Sequence, residues 1–182
     1  GSASEYGDEP MQIKRKFPMV TVAVDGSRIE GCDFLVHPEK LQTEKAGKKC
    51  KFKEFLPTEV IILDDAFQHR ALKPTLSIVL IDHNRPTFKD HLLPIGRLRG
   101  LPERVGKAAV LIITKCPYDM NSWQKCTWAD NLGLKNFNAK ECYGITPDGR
   151  KQYIFFTSIA YDTPEAIFPE GDPRYIHSKR MI

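Results

Sequence analysis

Short apolar runs, separated by polar and turn-rich segments, dominate the pattern of this chain. The runs at 20–24, 60–63, 77–82, 108–114 and 152–158 are rich in β-branched and aromatic residues, which is typical of strands. Those at 60–63, 77–82 and 108–114 show no alternation with polar residues. That pattern predicts strands that are buried on both faces, as in a parallel sheet.

Helical spacing predicts two helices. Asp8 as N-cap and Pro10 in the first turn predict a helix that runs to about Lys16. Ser122 is predicted to cap a second helix that extends through Leu132. The apolar residues expected to face inward are Met11, Ile13 and Phe17 in the first helix, and Trp123, Cys126, Trp128 and Ala129 in the second.

Three segments between these elements are less regular. Residues 37–57 mix lysines with glutamates and predict a solvated, mobile segment, or alternatively a basic face for a lipid surface or an acidic ligand. Residues 88–105 predict an irregular stretch followed by helix through Val105, and residues 137–143 are ambiguous.

Strands that alternate with helix-length segments imply βαβ units with right-handed crossovers. The predicted fold class is therefore α/β, with a mainly parallel sheet and flanking helices. A chain of 182 residues suits one domain, or one domain and a fragment.

Composition narrows the class of protein. The chain is 41% hydrophobic and has a net charge of +4, which suits a globular protein with an anionic ligand and is too weak to indicate nucleic acid binding. Its five cysteines have irregular spacing and no Cys-x-x-Cys pair, so neither a zinc site nor a disulfide framework is indicated. The longest apolar runs are too short to span a bilayer.

Adjacent carboxylates follow one of the predicted strands. Asp64 and Asp65 come directly after 60–63, and Asp82 ends the next strand along the chain. Ligands of open α/β sheets bind at the carboxyl ends of the strands, and an aspartate there holds magnesium in many P-loop enzymes. Capping of the strand end is the alternative, because aspartate also favours turns.

Four other residues have both a functional and a structural interpretation. His69 could contact a phosphate or transfer a proton, although a lone histidine is more often structural. Arg28 follows 20–24 and would share a sheet edge with Asp64 and Asp65, or would be a solvated side chain. Arg97 and Arg99 could clamp a phosphate or be surface charges. No Gly-x-x-x-x-Gly-Lys-Ser/Thr motif occurs in these residues, so no backbone cradle for phosphates is predicted.

Three motifs, in this order, carry a family resemblance. They are Gly-Asp-Glu-Pro at 7–10, Asp-Asp-Ala-Phe-Gln-His-Arg at 64–70 and Leu-Leu-Pro-Ile-Gly-Arg-Leu-Arg at 92–99. Together they closely resemble the tetraacyldisaccharide 4′-kinase family, the lipid A 4′-kinases, over roughly residues 5–161. The run Phe-Phe-Thr-Ser at 155–158 also resembles the family's strand before the linker to a smaller C-terminal lobe.

The resemblance implies a membrane-associated, P-loop NTPase-like kinase that needs ATP and Mg²⁺. Such a kinase transfers the ATP γ-phosphate to the 4′-hydroxyl of a tetraacyldisaccharide 1-phosphate, a lipid A disaccharide precursor, at the cytoplasmic face of the bacterial inner membrane. The residue roles that the resemblance implies are Asp8 as catalytic base, Asp65 and His69 as further catalytic residues, Glu9 and Asp64 as metal ligands, and Arg28 at the nucleotide phosphates. It implies His69 on the lipid-phosphate side.

The chain also departs from the family pattern. Ala66 replaces the usual glycine, Gly100-Leu101-Pro102 stands where Glu-Pro is commoner, and the segment 32–57 is longer than expected. The family's phosphate-binding loop is expected before Gly7, and its late Asp-His-His element after Ile182.

The sequence therefore predicts an incomplete kinase. Residues 1–4 are expected to be a tag or linker, 5–161 a partial P-loop kinase core, and 162–182 a linker toward a C-terminal lobe. The chain alone is expected to be inactive. Two alternatives remain at this point: a non-catalytic nucleotide- or partner-binding α/β module that has lost its phosphate loop, and a metal-dependent hydrolase that uses Asp64, Asp65 and His69.

Overall fold

A computed structural model of the chain describes residues 3–42, 56–69, 71–96, 98 and 102–161. The chain divides into two compact units, Gly1–Thr75 and Leu76–Ile182. Most of the predicted segment 37–57 lies outside the described residues, as do Arg97, Arg99 and residues 162–182.

All regular secondary structure in the described part of the first unit is helical. It contains α1 (Ala3–Tyr6), α2 (Asp8–Lys16), α3 (Arg28–Val36) and a 3₁₀ helix at Pro38–Gln42. The prediction of helix α2 is confirmed, but its N-cap is Gly7, with φ of +89°, and Asp8 is its first residue. The prediction that Ile13 and the C-cap residue Phe17 face inward is wrong: both are exposed, and α2 has no buried residue.

The predicted strands at 20–24 and 60–63 are wrong. Neither segment is assigned to a strand, and the side chains of Val60 and Ile62 are 75% and 91% exposed. β-branched residues favour extended backbone, but a strand exists only where a neighbouring strand completes its hydrogen bonds. Among the described residues of this unit, no segment pairs with either run.

A five-stranded sheet is the centre of the second unit. Its strands are β1 (Ile78–Asp82), β2 (Val110–Thr114), β3 (Lys135–Asn138), β4 (Tyr143–Ile145) and β5 (Lys151–Phe156). The order across the sheet is β1-β2-β5-β4-β3. β1, β2 and β5 are parallel, while β3 and β4 are antiparallel additions at one edge.

The mixed α/β class and the mainly parallel sheet are thus confirmed. The strands predicted at 77–82, 108–114 and 152–158 correspond to β1, β2 and β5, and the ambiguous residues 137–143 join β3 to β4. In the described part of the chain, the crossover from β1 to β2 contains 3₁₀ helices at Thr87–Lys89 and Pro102–Lys107, and the second of these includes the predicted helical residue Val105.

Only one face of the parallel strands is fully buried. Leu111, Ile113 and Ile154 have no exposed surface, whereas Leu80, which points to the other face, is 69% exposed. The prediction of burial on both faces is therefore wrong for β1. A side chain becomes buried only where another layer covers it, and the described part of the unit covers one side of β1.

The predicted helix at 122–132 is confirmed as α4 (Ser122–Asn131), but Ser122 is its first residue and not its N-cap. Its N-cap is Asn121, whose side chain accepts a hydrogen bond from the Gln124 N–H (2.9 Å) while the Gln124 side chain accepts one from the Asn121 N–H (2.8 Å). Trp128 and Ala129 belong to the core, but Trp123 is 74% exposed and does not face inward. Trp128 also contacts the rings of His83 and Phe88, with centroids 5.4 and 5.1 Å away, which fixes the loop after β1 on this helix.

Candidate functional site

The adjacent carboxylates lie in an exposed turn of the first unit. Asp65 has φ of +44°, in the left-handed region that few non-glycine residues adopt. Its N–H donates a hydrogen bond to Oδ1 of Asp64 over 2.9 Å. Both residues are exposed.

Arg28 contacts this turn. Its Nη2 donates a hydrogen bond to the backbone oxygen of Asp65 over 3.3 Å. The expectation that Arg28 lies near the carboxylate pair is confirmed, although 37 residues separate the two in sequence. The cause is not the predicted sheet edge, because Arg28 is the first residue of α3.

Capping by Ser27 determines that α3 begins at Arg28. The Ser27 hydroxyl accepts a hydrogen bond from the Glu30 N–H over 3.3 Å, and the Ser27 N–H donates to Oδ1 of Asp25 over 2.8 Å. The prediction from sequence missed this helix. The signal was present, since Ser27 followed three residues later by Glu30 is the spacing of a capping box.

His69 closes the next turn along the chain. Its N–H donates to the backbone oxygen of Ala66 over 2.9 Å. Its Nδ1 is buried and has no hydrogen-bond partner among the described residues. A buried imidazole nitrogen without a partner is unusual and requires one, from elsewhere in the protein or from a ligand.

Asp8 and Glu9 occupy the first turn of α2 and are exposed. Their charges oppose the positive end of the helix dipole, which is a sufficient structural role. In the described part of the chain, no three His, Cys, Asp or Glu side chains form a group that could hold a metal ion. The metal roles of Glu9 and Asp64 and the catalytic roles of Asp8, Asp65 and His69 therefore stay predictions.

Magnesium fits Asp64 and Asp65 on chemical grounds. This ion keeps most of its waters and is usually held by one or two carboxylates together with substrate phosphates, so it does not require three protein ligands. One oxygen of Asp64 accepts a hydrogen bond from the Asp65 N–H, and both residues are exposed.

The second unit has its own polar cluster where β1 and β2 end. Nζ of Lys115 lies 2.5 Å from Oδ2 of Asp82, and Oδ1 of Asp82 accepts a hydrogen bond from the Asn84 N–H over 2.9 Å. These contacts lower the pKa of Asp82, with the Lys115 hydrogen bond as the largest cause. Asp82 was predicted as a strand-end carboxylate, but sequence gave no signal for its partner Lys115.

The sheet and the Arg28–Asp65 turn define an α/β protein with a candidate site for an anion and a divalent cation. The family model for tetraacyldisaccharide-1-P 4'-kinase matches residues 1–159. The chain therefore belongs to the tetraacyldisaccharide 4′-kinase family.

Curated relatives agree with this assignment. The chain is 43% identical over 174 residues to the tetraacyldisaccharide 4'-kinase of Parabacteroides distasonis, an alignment that covers 95% of this chain and 39% of that protein. It is 33% identical over 171 residues to the enzyme of the same name from Phocaeicola vulgatus, covering 94% of this chain and 39% of that protein. The chain thus spans about two fifths of the length of these relatives. No solved structure matches it.

The described helices are all too short or too polar to cross a membrane.

Proposed function

We propose that this chain is part of a kinase that transfers the γ-phosphate of ATP to the 4′-hydroxyl of a tetraacyldisaccharide 1-phosphate in lipid A biosynthesis. Membership of the family and the names of its relatives support this activity. The structural observation that supports it most directly is the hydrogen bond from Arg28 to the Asp65 backbone, since it joins a cation to two exposed carboxylates.

The proposed reaction moves a phosphoryl group from ATP to the acceptor, and each candidate residue has a role in it. The 4′-hydroxyl oxygen forms a bond to the γ-phosphorus, the bond from that phosphorus to the β,γ-bridging oxygen breaks, and ADP leaves. Asp8 accepts the hydroxyl proton, Arg28 binds the nucleotide phosphates, and Asp65 and His69 position the reacting groups. Asp64 and Glu9 would hold Mg²⁺, which neutralises negative charge on the phosphates.

The geometry of the carboxylate turn suits these roles. Arg28 uses a guanidinium nitrogen on the Asp65 carbonyl, so it remains a positive charge that no described carboxylate neutralises through a hydrogen bond. An exposed carboxylate pair would repel the phosphates of ATP unless a cation lay between them. The same turn thus offers positive charge for an anion and ligands for the cation that accompanies it.

The proposal extends to fold and cellular site. We also propose a P-loop NTPase-like core, a lipid A disaccharide precursor as partner and a peripheral position on the cytoplasmic face of the inner membrane, and the family assignment supports these proposals. The weak net charge of +4 agrees with a partner other than nucleic acid.

A chimera tests the proposed function. Residues 1–159 of this chain replace the matching segment of the Parabacteroides distasonis kinase, and transfer of ³²P from ATP to a tetraacyldisaccharide 1-phosphate is measured. We expect an active chimera, and we expect Asp65→Asn to lower kcat at least about a hundredfold, because a group aimed at developing charge contributes that much.

Asp119→Asn is the matched control, since it removes the same charge from an exposed position in the second unit. It should leave kcat unchanged. A folded chimera without kinase activity, or equal activity of the Asp65→Asn and Asp119→Asn variants, would contradict the proposal.

A non-catalytic α/β module is the second candidate. The runs 20–24 and 60–63 are unpaired among the described residues, and no phosphate-cradling motif occurs in these residues. We propose that the 182-residue chain alone is inactive. ATP-dependent phosphorylation of the acceptor by the purified chain would refute that statement, and an inactive but folded chimera would favour the module.

A further inference from the structure

An open cavity of about 540 Å³ lies directly after β1, in the loop that precedes β2. Its size is within the range of small-molecule sites. Two cations, one carboxylate, one amide and an apolar rim surround it: Arg85, Lys89, Asp90, Asn84 and Ile95. The cavity belongs wholly to the second unit.

Backbone hydrogen bonds hold one side of the cavity. The Arg85 N–H donates to the backbone oxygen of Asp82 over 2.9 Å, and the Lys89 N–H donates to that of Pro86 over 3.0 Å. The Asn84 N–H is held by the Asp82 side chain. The two cations therefore extend from a loop with fixed backbone.

On the opposite side of the cavity, Gly96 allows the backbone to pass close to His91 and Asp90. A Cβ at this position would lie 2.1 Å from the backbone oxygen of His91 and 2.5 Å from Oδ1 of Asp90, so no larger residue fits. The Gly96 N–H donates to the backbone oxygen of Leu92 over 2.9 Å. Asp90 is fixed in turn, because its Oδ1 accepts a hydrogen bond from the His91 N–H over 2.8 Å.

The two cations are available to a ligand. The Arg85 and Lys89 side chains are exposed and form no hydrogen bond or ion pair among the described residues. The nearby carboxylate of Asp82 already pairs with Lys115 at 2.5 Å. A guanidinium beside an ammonium is a strong combination for the oxygens of a phosphate.

We propose that this cavity binds the phosphate-bearing end of a phosphorylated sugar, which in the proposed reaction is the 1-phosphate end of the acceptor. This assignment rests on the proposed function. A phosphate monoester carries close to two negative charges, and Arg85 and Lys89 together match that charge, whereas a single His69 in the first unit does not. The Asn84 amide can donate a hydrogen bond to a sugar hydroxyl and accept one from it, and the 88% exposed Ile95 supplies apolar contact at the rim.

A binding measurement with a small phosphorylated sugar and the 182-residue chain tests the site, and it does not depend on kinase activity. Glucosamine 1-phosphate is the probe, glucosamine lacks the phosphate, and ADP represents the alternative source of phosphate. We expect glucosamine 1-phosphate to shift the amide resonances of residues 84–96 with a Kd below about 10 mM, and we expect no such shift with glucosamine or ADP.

Matched variants locate the binding. Arg85→Gln and Lys89→Gln should each weaken the binding of glucosamine 1-phosphate about tenfold, the effect of one lost hydrogen bond to a charged group. Lys107→Gln removes an equal charge from an exposed position outside the cavity lining and should leave the Kd unchanged. Arg85→Lys should retain part of the affinity, and amide spectra of all variants report whether they remain folded.

The results that would refute this phosphate site differ from those that would refute the proposed kinase function. Absence of binding, or an equal loss in Lys107→Gln, would overturn the site even if the chimera is an active kinase. Binding of ADP that Arg85→Gln abolishes would assign the cavity to the nucleotide and overturn the acceptor assignment. In an active chimera, Arg85→Gln should raise KM for the acceptor about tenfold and leave KM for ATP unchanged.

Discussion

Gly144 shows how a single residue limits the packing of the second unit. A Cβ at this position would lie 2.8 Å from Cβ of Leu134 and 3.4 Å from the backbone oxygen of Lys135. Leu134 is buried, and it directly precedes β3, so neither neighbour can move freely. The close approach of β4 to this part of the chain therefore requires glycine.

We expect Gly144→Ala to lower the free energy of unfolding by about 1–3 kcal/mol, because overpacking in a filled site costs that much. Urea unfolding monitored by circular dichroism measures it. Gly106→Ala is the control, since a Cβ there would meet nothing within 4 Å and its φ is not in the left-handed region. A loss for Gly106→Ala as large as that for Gly144→Ala would contradict the packing argument.

At the scale of single residues, prediction from sequence selected the members of one contact. Asp64, Asp65 and Arg28 were chosen from sequence as candidates, and a hydrogen bond does connect Arg28 with the Asp65 backbone. By contrast, the sequence did not indicate the two cations of the cavity after β1 as candidate site residues. Arg85 and Lys89 are four residues apart in an irregular loop, and only the close approach at Gly96 places them around one space.

At the scale of elements, an ion pair joins the ends of β1, an edge strand, and β2, its parallel neighbour. Asp82 ends β1 and Lys115 directly follows β2, and their side chains lie 2.5 Å apart. Hydrogen bonds from Lys115 and Asn84 lower the pKa of Asp82 below its ordinary value of 3.8. Such a group contributes stability above the unfolded-state pKa and loses that contribution as the pH falls through its lowered folded-state pKa.

We therefore expect the free energy of unfolding of the Asp82→Asn variant to fall less on acidification than that of the parent chain. The parent chain should be more stable than the variant at pH 7, and the difference should shrink as the pH falls below 3.8 toward the lowered pKa. Urea midpoints at a series of pH values measure it. Asp119→Asn removes an exposed carboxylate with no ion pair among the described residues, and its profile should follow the parent. Parallel profiles for Asp82→Asn and the parent chain would show that the pair does not stabilise the fold.

At the scale of the whole molecule, the two units differ in how much core they contain. Among the described residues, Pro38 and Leu41 are the only buried apolar residues of the first unit. The second unit buries a larger set: Ile81, Ala108, Leu111, Ile113, Cys116, Trp128, Ala129, Leu134 and Ile154. Since apolar burial is the main favourable term in folding, stability is concentrated in the second unit.

Hydrogen exchange should reveal this difference. We expect amides of β2 and β5 to exchange only through global unfolding, while amides of α2 and of residues 58–69 exchange through local opening with little protection. Mass spectrometry of deuterated peptides measures both sets in one sample. Equal protection of the two units would mean that the first unit is stabilised by contacts other than apolar burial.

Sequence by itself determined the strands β1, β2 and β5, helix α4 and the family. These elements combine strong local propensity with a pattern that matches their burial, so local and global preferences agree. Tertiary structure alone decided three other features: which apolar runs become strands, which face of the sheet is buried, and which distant side chains meet. The runs 20–24 and 60–63 have the composition of strands yet remain unpaired, because pairing depends on a neighbouring strand and not on the run itself. The Arg28–Asp65, Asp82–Lys115 and Gly96–His91 approaches likewise depend on how the backbone folds, which residue types do not encode one by one.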